Sequence, residues 1–188
     1  MTIIKQLLYF ICFGTFFLSA QKTTLNIERS TLKWKGEQIT SKTHYGSLKF
    51  VSGELSFDKE LISSGKFIVD MTSLTVEDLV GSSKKKLEGH LKSDDFFSVS
   101  SHNKAKLTIS SSVKIKANTY LAEGDLTIKN ILHPVQFTIQ KENTFWIANL
   151  VFDRSKYNVQ FRSGNFFENL GDKLILDSIN LDTTLFFN

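Results

Sequence analysis

Residues 122–140, AEGDLTIKNILHPVQFTIQ, hold two runs of strict alternation. Ala122, Gly124, Leu126 and Ile128 fall on one side, with Glu123, Asp125, Thr127 and Lys129 on the other. Val135, Phe137 and Ile139 then face away from Gln136, Thr138 and Gln140. A period of two sends successive side chains to opposite faces of a strand, so each run has one dry and one wet face, as in antiparallel sheet. Pro134, the one proline, is expected at a strand's first position, where a missing backbone donor does least harm.

The same pattern extends in both directions. Upstream, Leu25 and Ile27 alternate with polar neighbours, as do Leu32 and Trp34. His44, Gly46, Leu48 and Phe50 oppose Tyr45, Ser47 and Lys49; Leu55 and Phe57 follow, and Phe67, Val69 and Met71 oppose Lys66, Ile68 and Asp70. Leu107 and Ile109 form another run, and Val113 and Ile115 resume it after an expected turn in the serines at 110–112. Phe145 to Phe152 is apolar on both faces and is predicted to be covered on both. Ile179, Leu181, Thr183, Leu185 and Phe187 close the chain. Strands this frequent in one chain, about eight to ten, predict an all-β sandwich or a closed barrel.

Two stretches break the pattern, 165–172 (NFFENLGD) and 84–99 (KKKLEGHLKSDDFFSV). In the second, Leu87, His90 and Leu91 fall at i, i+3 and i+4, which predicts a helix of about two turns capped by Ser83. So short a helix is not stable alone in water, so it must pack Leu87, Leu91, Phe96 and Phe97 onto something larger, as a plug or lid on a barrel.

Residues 1–20 read as a signal peptide: Lys5 and no acid at the start, an apolar run from Leu7 to Leu18, and Ser19-Ala20 for a peptidase. The run is too short to span a bilayer, and no lipid-attachment pattern precedes Cys12. Residues 21–188 then form one domain, exported to the periplasm or beyond the cell. That domain holds no cysteine, which excludes disulfides, a thiol nucleophile and thiolate metal sites. With Lys5 set aside, 22 basic residues face 19 acidic ones, too small an excess to argue for nucleic acid.

No metal or enzyme motif stands out. His44, His90, His102 and His133 lack a two-histidine metal spacing, and there is no G-x-S-x-G elbow, phosphate loop or H-E-x-x-H helix. Asp94-Asp95 reads as turn or capping chemistry. Lys84-Lys85-Lys86 reads as a solvated face that leaves room for contact with a membrane surface. Gly46, Ala122 and Gly124 sit on dry faces where a filled core would want bulk. An eight-stranded barrel is just wide enough to be filled or to hold one ligand, and these small residues favour the cavity.

Several stretches together resemble the YceI-like family of exported proteins described as lipid- or polyisoprenoid-binding. These are HLKSDDFF (90–97), GDLTIKNILHPVQF (124–137), FDRSKYNV (152–159) and SGNFFENLGDK (163–173), with W-x-G at 34–36 and HYGSLKFVSGEL at 44–55. Each motif is weak alone; their order along the chain gives them force. The resemblance implies an extended, lipocalin-like antiparallel β-barrel of about eight strands with one or two short helices, and a carrier with no catalytic step. Asn130 stands where the family usually has glycine. Asparagine tolerates the left-handed conformation, so the same turn is expected.

Strands of about ten residues, tilted near 40°, make a barrel roughly 25 Å tall, which suits a tail of about twenty carbons better than a long polyprenyl chain. Burying on the order of 500 Å² of tail yields roughly 12 kcal/mol gross, against an association cost of about 4–15 kcal/mol. The tail therefore brings affinity, and the head must bring selectivity. Expected tail contacts are Trp34, Phe50, Phe67, Phe96, Phe97, Leu126, Phe137 and Trp146. Expected head-group contacts are His44, His90, Lys92, Arg154 and Arg162, although Arg154 also reads as an ion-pair partner of Asp153 or Asp172 and Lys92 as plain surface.

The leading expectation is a non-enzymatic carrier for an isoprenoid, a quinone or a fatty-acid-like molecule, requiring no cofactor. A solidly packed interaction domain, or a lipid enzyme using His90 with Asp94 or Asp95 as acid and base, are the other readings. A homodimer is compatible with all three.

Overall fold

The structure is a computed structural model that describes residues 21–188; the signal-peptide expectation and Cys12 lie outside the described residues. Among these, nine strands and one α-helix follow in order: β1 (Gln21–Thr24), β2 (Thr31–Glu37), β3 (Thr43–Asp58), β4 (Leu61–Val76), α1 (Gly81–Lys92), β5 (Lys104–Lys116), β6 (Thr119–Ile128), β7 (Ile131–Lys141), β8 (Trp146–Asp153) and β9 (Ser178–Leu185), with single 3-10 turns at Arg154–Tyr157 and Gly171–Lys173. Every pairing is antiparallel. The order β3-β2-β9-β8-β7-β6-β5-β4 closes through β3–β4 into an eight-stranded barrel, and β1 adds to the far half of β3.

The alternation is what builds this barrel. On β6, Tyr120, Ala122, Gly124, Leu126 and Ile128 are buried, while Glu123 is exposed. Lys129 and Asn130, at φ 52° and 62°, make the two-residue turn to β7, so Asn130 adopts the left-handed backbone expected of it. Pro134 lies inside β7 rather than at its start. The position is tolerated because β7 pairs with β8 only over Thr138–Lys141, leaving the edge at Pro134 unpaired on that side. Where β7 and β8 part, Tyr157 fills the gap with edge-on contacts to His133 and Phe152, and burial pushes its phenol pKa up to about 12.

Three further expectations are corrected. The serines at 110–112 do not turn. β5 runs through them with a bulge between Ile109 and Ser111, which turns Ser112 inward, where it bonds both the N–H and the C=O of Ile62, and leaves Val113 and Ile115 exposed. The outer face of β8 is open rather than covered, since Val151 and Asn149 are exposed. Ser83 is not a cap: the helix starts earlier, where Gly81 takes φ 60°, and runs twelve residues.

Gly46 and Gly124 also serve a purpose other than the expected one. A Cβ on Gly124 would lie 2.1 Å from the Thr108 carbonyl oxygen, and one on Gly46 would lie 1.8 Å from that of Thr75. These glycines let neighbouring backbones approach closely, and neither of them nor Ala122 lines the cavity. Gly124→Ala is therefore expected to destabilise the barrel by about 2–3 kcal/mol, read as a shift in the urea midpoint, because backbone and not a flexible side chain must move. An unchanged midpoint contradicts the close approach.

Helix α1 is held to the end of β4 by Glu88, whose Oε1 accepts from the Val76 N–H at 2.9 Å and the Thr75 hydroxyl at 2.7 Å. These bonds, that from Val76 foremost, lower the Glu88 pKa from its ordinary 4.5. A carboxylate depressed in the folded state adds stability that is full above its unfolded pKa and lost as pH falls through the folded value. The melting temperature is thus expected to fall more steeply between about pH 5 and 3 in the natural chain than in Glu88→Gln. Parallel curves for the two proteins count against this strap.

Candidate functional site

The barrel has one closed and one open end. At the closed end Trp146 stacks on Phe57 and Tyr120, with ring centroids 5.7 and 5.9 Å away, and Leu25 bridges to Phe187 beneath them. At the other end lie the loop 38–42, helix α1 and the long segment 154–177. Between them a cavity of about 400 Å³ runs into the barrel, within the range of small-molecule sites. On β3 its wall reaches from His44 to Phe50, roughly 20 Å along the strand and about 15 Å along a tilted barrel's axis.

Its wall is apolar over most of its depth, with polar residues mainly at the mouth. Trp34, Phe50, Phe67, Phe96, Phe97, Leu126 and Phe137, all expected from the sequence, line it. Trp146 does not: it points inward but sits at the floor, below the cavity. Trp34 satisfies its indole N–H within the wall, donating to the Thr75 carbonyl at 3.1 Å beside side-chain-free Gly46. A bulge carries Met71 and Leu74 into the lining: β3 residues Ser47 and Lys49 pair with Thr75 and Asp70, so four β4 residues loop between them, and the Ser73 hydroxyl takes the Lys49 N–H.

The helix lies over the mouth as a stopper. Leu87, His90 and Leu91 face the cavity, and the imidazole of His90 meets Phe161 edge-on at 4.4 Å and Phe96 at 5.0 Å. His90 Nε2 is 3.4 Å from Asp95, while Asp94 has no such contact among the described residues; Ser93 caps the helix by bonding the His90 carbonyl. His44 also lines the mouth, its Nδ1 2.6 Å from Asp78. Burial pushes the Asp78 pKa up, but the Tyr45 N–H and His44 outweigh it and hold the carboxyl below its ordinary value.

Of the remaining expected head-group residues, Arg162 lines the mouth and Lys92 does not; the Lys92 ammonium donates instead to the Thr72 carbonyl at 2.9 Å, outside the cavity. Arg154 touches the lining but is fully buried, and its guanidinium is consumed by the protein. It donates to the carbonyls of Val159, Phe161, Ile175 and Leu176 at 3.0–3.3 Å and lies 3.1 Å from Asp177. The partner is thus Asp177, not Asp153 or Asp172; Asp153 instead accepts from the Ser155 N–H and hydroxyl. Burial, partly offset by Asp177, lowers the Arg154 pKa. This network, with Lys129 bonding the Phe96 and Asn158 carbonyls, shapes the rim. The sequence reading missed Glu37, Gln38, Lys42, Phe161 and Ile175, which reach the mouth through a bridge between Gln38 and Ile175.

The family model of the YceI-like domain matches residues 24–187. The chain belongs to the YceI-like family. This YceI-like barrel is similar to BcnA of Burkholderia cenocepacia (TM-score 0.66, 18% identity, 86% of this chain and 98% of that one). It is also similar to a polyisoprenoid binding domain from Saccharophagus degradans implicated in plant cell wall breakdown (TM-score 0.59, 16% identity, 88% and 97% covered). The YCEI protein of Campylobacter jejuni aligns at a TM-score of 0.55 and 16% identity, over 75% and 80% of the two chains. At these identities the likeness is one of fold. A UPF0312 protein of Photorhabdus laumondii is 29% identical over 91 residues, 48% of this chain and 45% of that relative, so the match spans under half of either.

Proposed function

We propose that this YceI-like barrel is an exported carrier that holds an amphiphilic isoprenoid or a similar lipid, with its tail in the cavity and its head at the mouth beneath α1, and without turning it over. The observation that carries the reading is the cavity itself: about 400 Å³ walled by aromatic and aliphatic side chains, with most of its polar residues, from Glu37 to Arg162, gathered at the mouth. Membership of the family and the named binding property of the Saccharophagus relative support it. Phe166 and Phe167 stand exposed on the rim segment next to Arg162, and a brief contact with a membrane surface, where cargo is taken up or released, belongs to the same proposal.

Native mass spectrometry of the protein purified from its own cells, followed by organic extraction, reads cargo and any homodimer in one measurement. A co-purifying amphiphile released on denaturation is the expected result. Repeated recovery of protein free of lipid, with no uptake of added prenyl or acyl chains, rules the carrier out.

A further inference from the structure

Helix α1 covers the mouth, yet little holds it there. Of its twelve residues only Leu91 is buried. Its N-cap, Val80, makes no side-chain hydrogen bond, and its first turn has no acid to meet the helix dipole. Gly89 lies in its interior, exposed, where an added Cβ would meet nothing within 4 Å; the glycine weakens the helix with no close packing to require it. The chain on either side is firmly placed. Asp78 takes the Tyr45 N–H at 3.0 Å and lies 2.6 Å from His44; beyond the helix Phe96 and Val99 are buried, and Lys129 bonds the Phe96 carbonyl at 3.1 Å. Between these anchors, among the described residues, two side chains bond α1 to β4: Glu88 to Val76 and Thr75, and Lys92 to Thr72.

We propose that α1 is a melting lid: the stretch from Leu79 to His90 unfolds and leaves the mouth while the barrel stays intact, and this opening admits and releases the tail. The inference rests on the tail-in-cavity reading and adds the route and its gate. A twelve-residue helix taken off its support does not persist in water, so opening is local unfolding and not the swing of a rigid arm. It withdraws Leu87 and His90 from the cavity lining while the anchors at Asp78 and Phe96 hold the ends of the loop. The other gap in the wall, where β7 and β8 part, is closed by the buried Tyr157, packed edge-on against His133 and Phe152, which leaves α1 as the weaker closure. The bonds of Glu88 favour the closed state and Gly89 favours the open one.

Hydrogen exchange followed by mass spectrometry reads the opening directly. In the natural chain the amides of α1 are expected to exchange about a hundredfold or more faster than those of β6. Glu88→Ala removes the acceptor of two donors and should speed α1 exchange about tenfold, whereas Gly89→Ala, which adds helix propensity, should slow it about fivefold. The gate is read with cis-parinaric acid, a fluorescent fatty acid, loaded into the delipidated protein and released to phosphatidylcholine vesicles. In each variant its uptake and release should both change by the factor seen in α1 exchange, with affinity altered less than about twofold, because a gate scales the two rates alike. Damage to the cavity would instead raise release alone. Amides of α1 as protected as those of β6 overturn the lid, as do uptake and release rates indifferent to both variants; either result leaves the carrier standing. A probe that does not bind the natural chain at all overturns the carrier and the gate with it. Gly89→Ala adds a methyl group in open space, so the test holds even if Glu88→Ala does not fold.

Discussion

Arg154→Met is expected to lower the melting temperature by roughly 10 °C, more than any other single exchange in the segment 154–177. The guanidinium is fully buried and is shared among four carbonyl oxygens and one carboxylate. Methionine keeps much of the apolar stem but leaves Asp177 without its counter-charge and four carbonyls without donors. Removing one partner of a buried charge network costs about 3–5 kcal/mol, and each kcal/mol shifts the midpoint of a domain this size by about 2–4 °C. That loss is a large share of the total stability of about 5–15 kcal/mol. Arg154→Lys should not restore it, since a single ammonium cannot reach acceptors spread from Val159 to Asp177. Calorimetric scans of the three proteins decide the point, and a fall of under about 3 °C in the methionine variant would show that the rim holds together by other contacts.

Ala148→Phe is expected to weaken lipid uptake by a hundredfold or more while changing the fold little. Ala148 is buried on β8, lines the cavity, and pairs with Ile139 and Thr183 on the neighbouring strands, so an added ring projects into the space the tail is proposed to fill. Overpacking a filled core costs about 1–3 kcal/mol; here the ring enters open volume, and the melting temperature should hold or rise. The variant therefore separates two architectures. A melting temperature that falls steeply shows a core already full, and cargo that still co-purifies at natural levels shows that lipid sits elsewhere. Loss of cargo at constant stability is what a cavity carrier gives.

How much of this was readable in advance depends on which physical property each residue reports. Alternation in 122–140 discloses which side chains point inward, because a strand's side-chain period is two whatever its neighbours are. It does not disclose height along the barrel axis, so Trp146, expected among the tail contacts, lies inside the barrel but at its floor, below the cavity. It also cannot foresee an inserted residue: the bulge at Ser110 changes which of Ser112 and Val113 faces in, and a run that looks like a turn stays strand. For the helix, Leu87, His90 and Leu91 mark the buried stripe, but its start depends on the positive φ of Gly81 and its anchorage on Glu88, which looks like one more surface acid until β4 lies beside it.

The mouth was the least legible part. Lys42 and Arg162 lie 120 positions apart, and nothing in the local spacing of either shows that a bridge between Gln38 and Ile175 sets their loops side by side. Arg154 shows the same limit from the opposite side: its charge suggested a ligand contact, whereas the carbonyls that absorb it come from residues 5 to 22 positions away.

From its linear order the chain set the strand count, the inward and outward faces, the stopper and the aromatic wall, because these follow from side-chain period and from the burial of apolar groups along a continuous backbone. Barrel closure alone settled which inward residues surround empty space, which buried charge the protein consumes, and which loops meet at the rim. Those outcomes turn on distances between residues far apart in the chain, which no local pattern encodes.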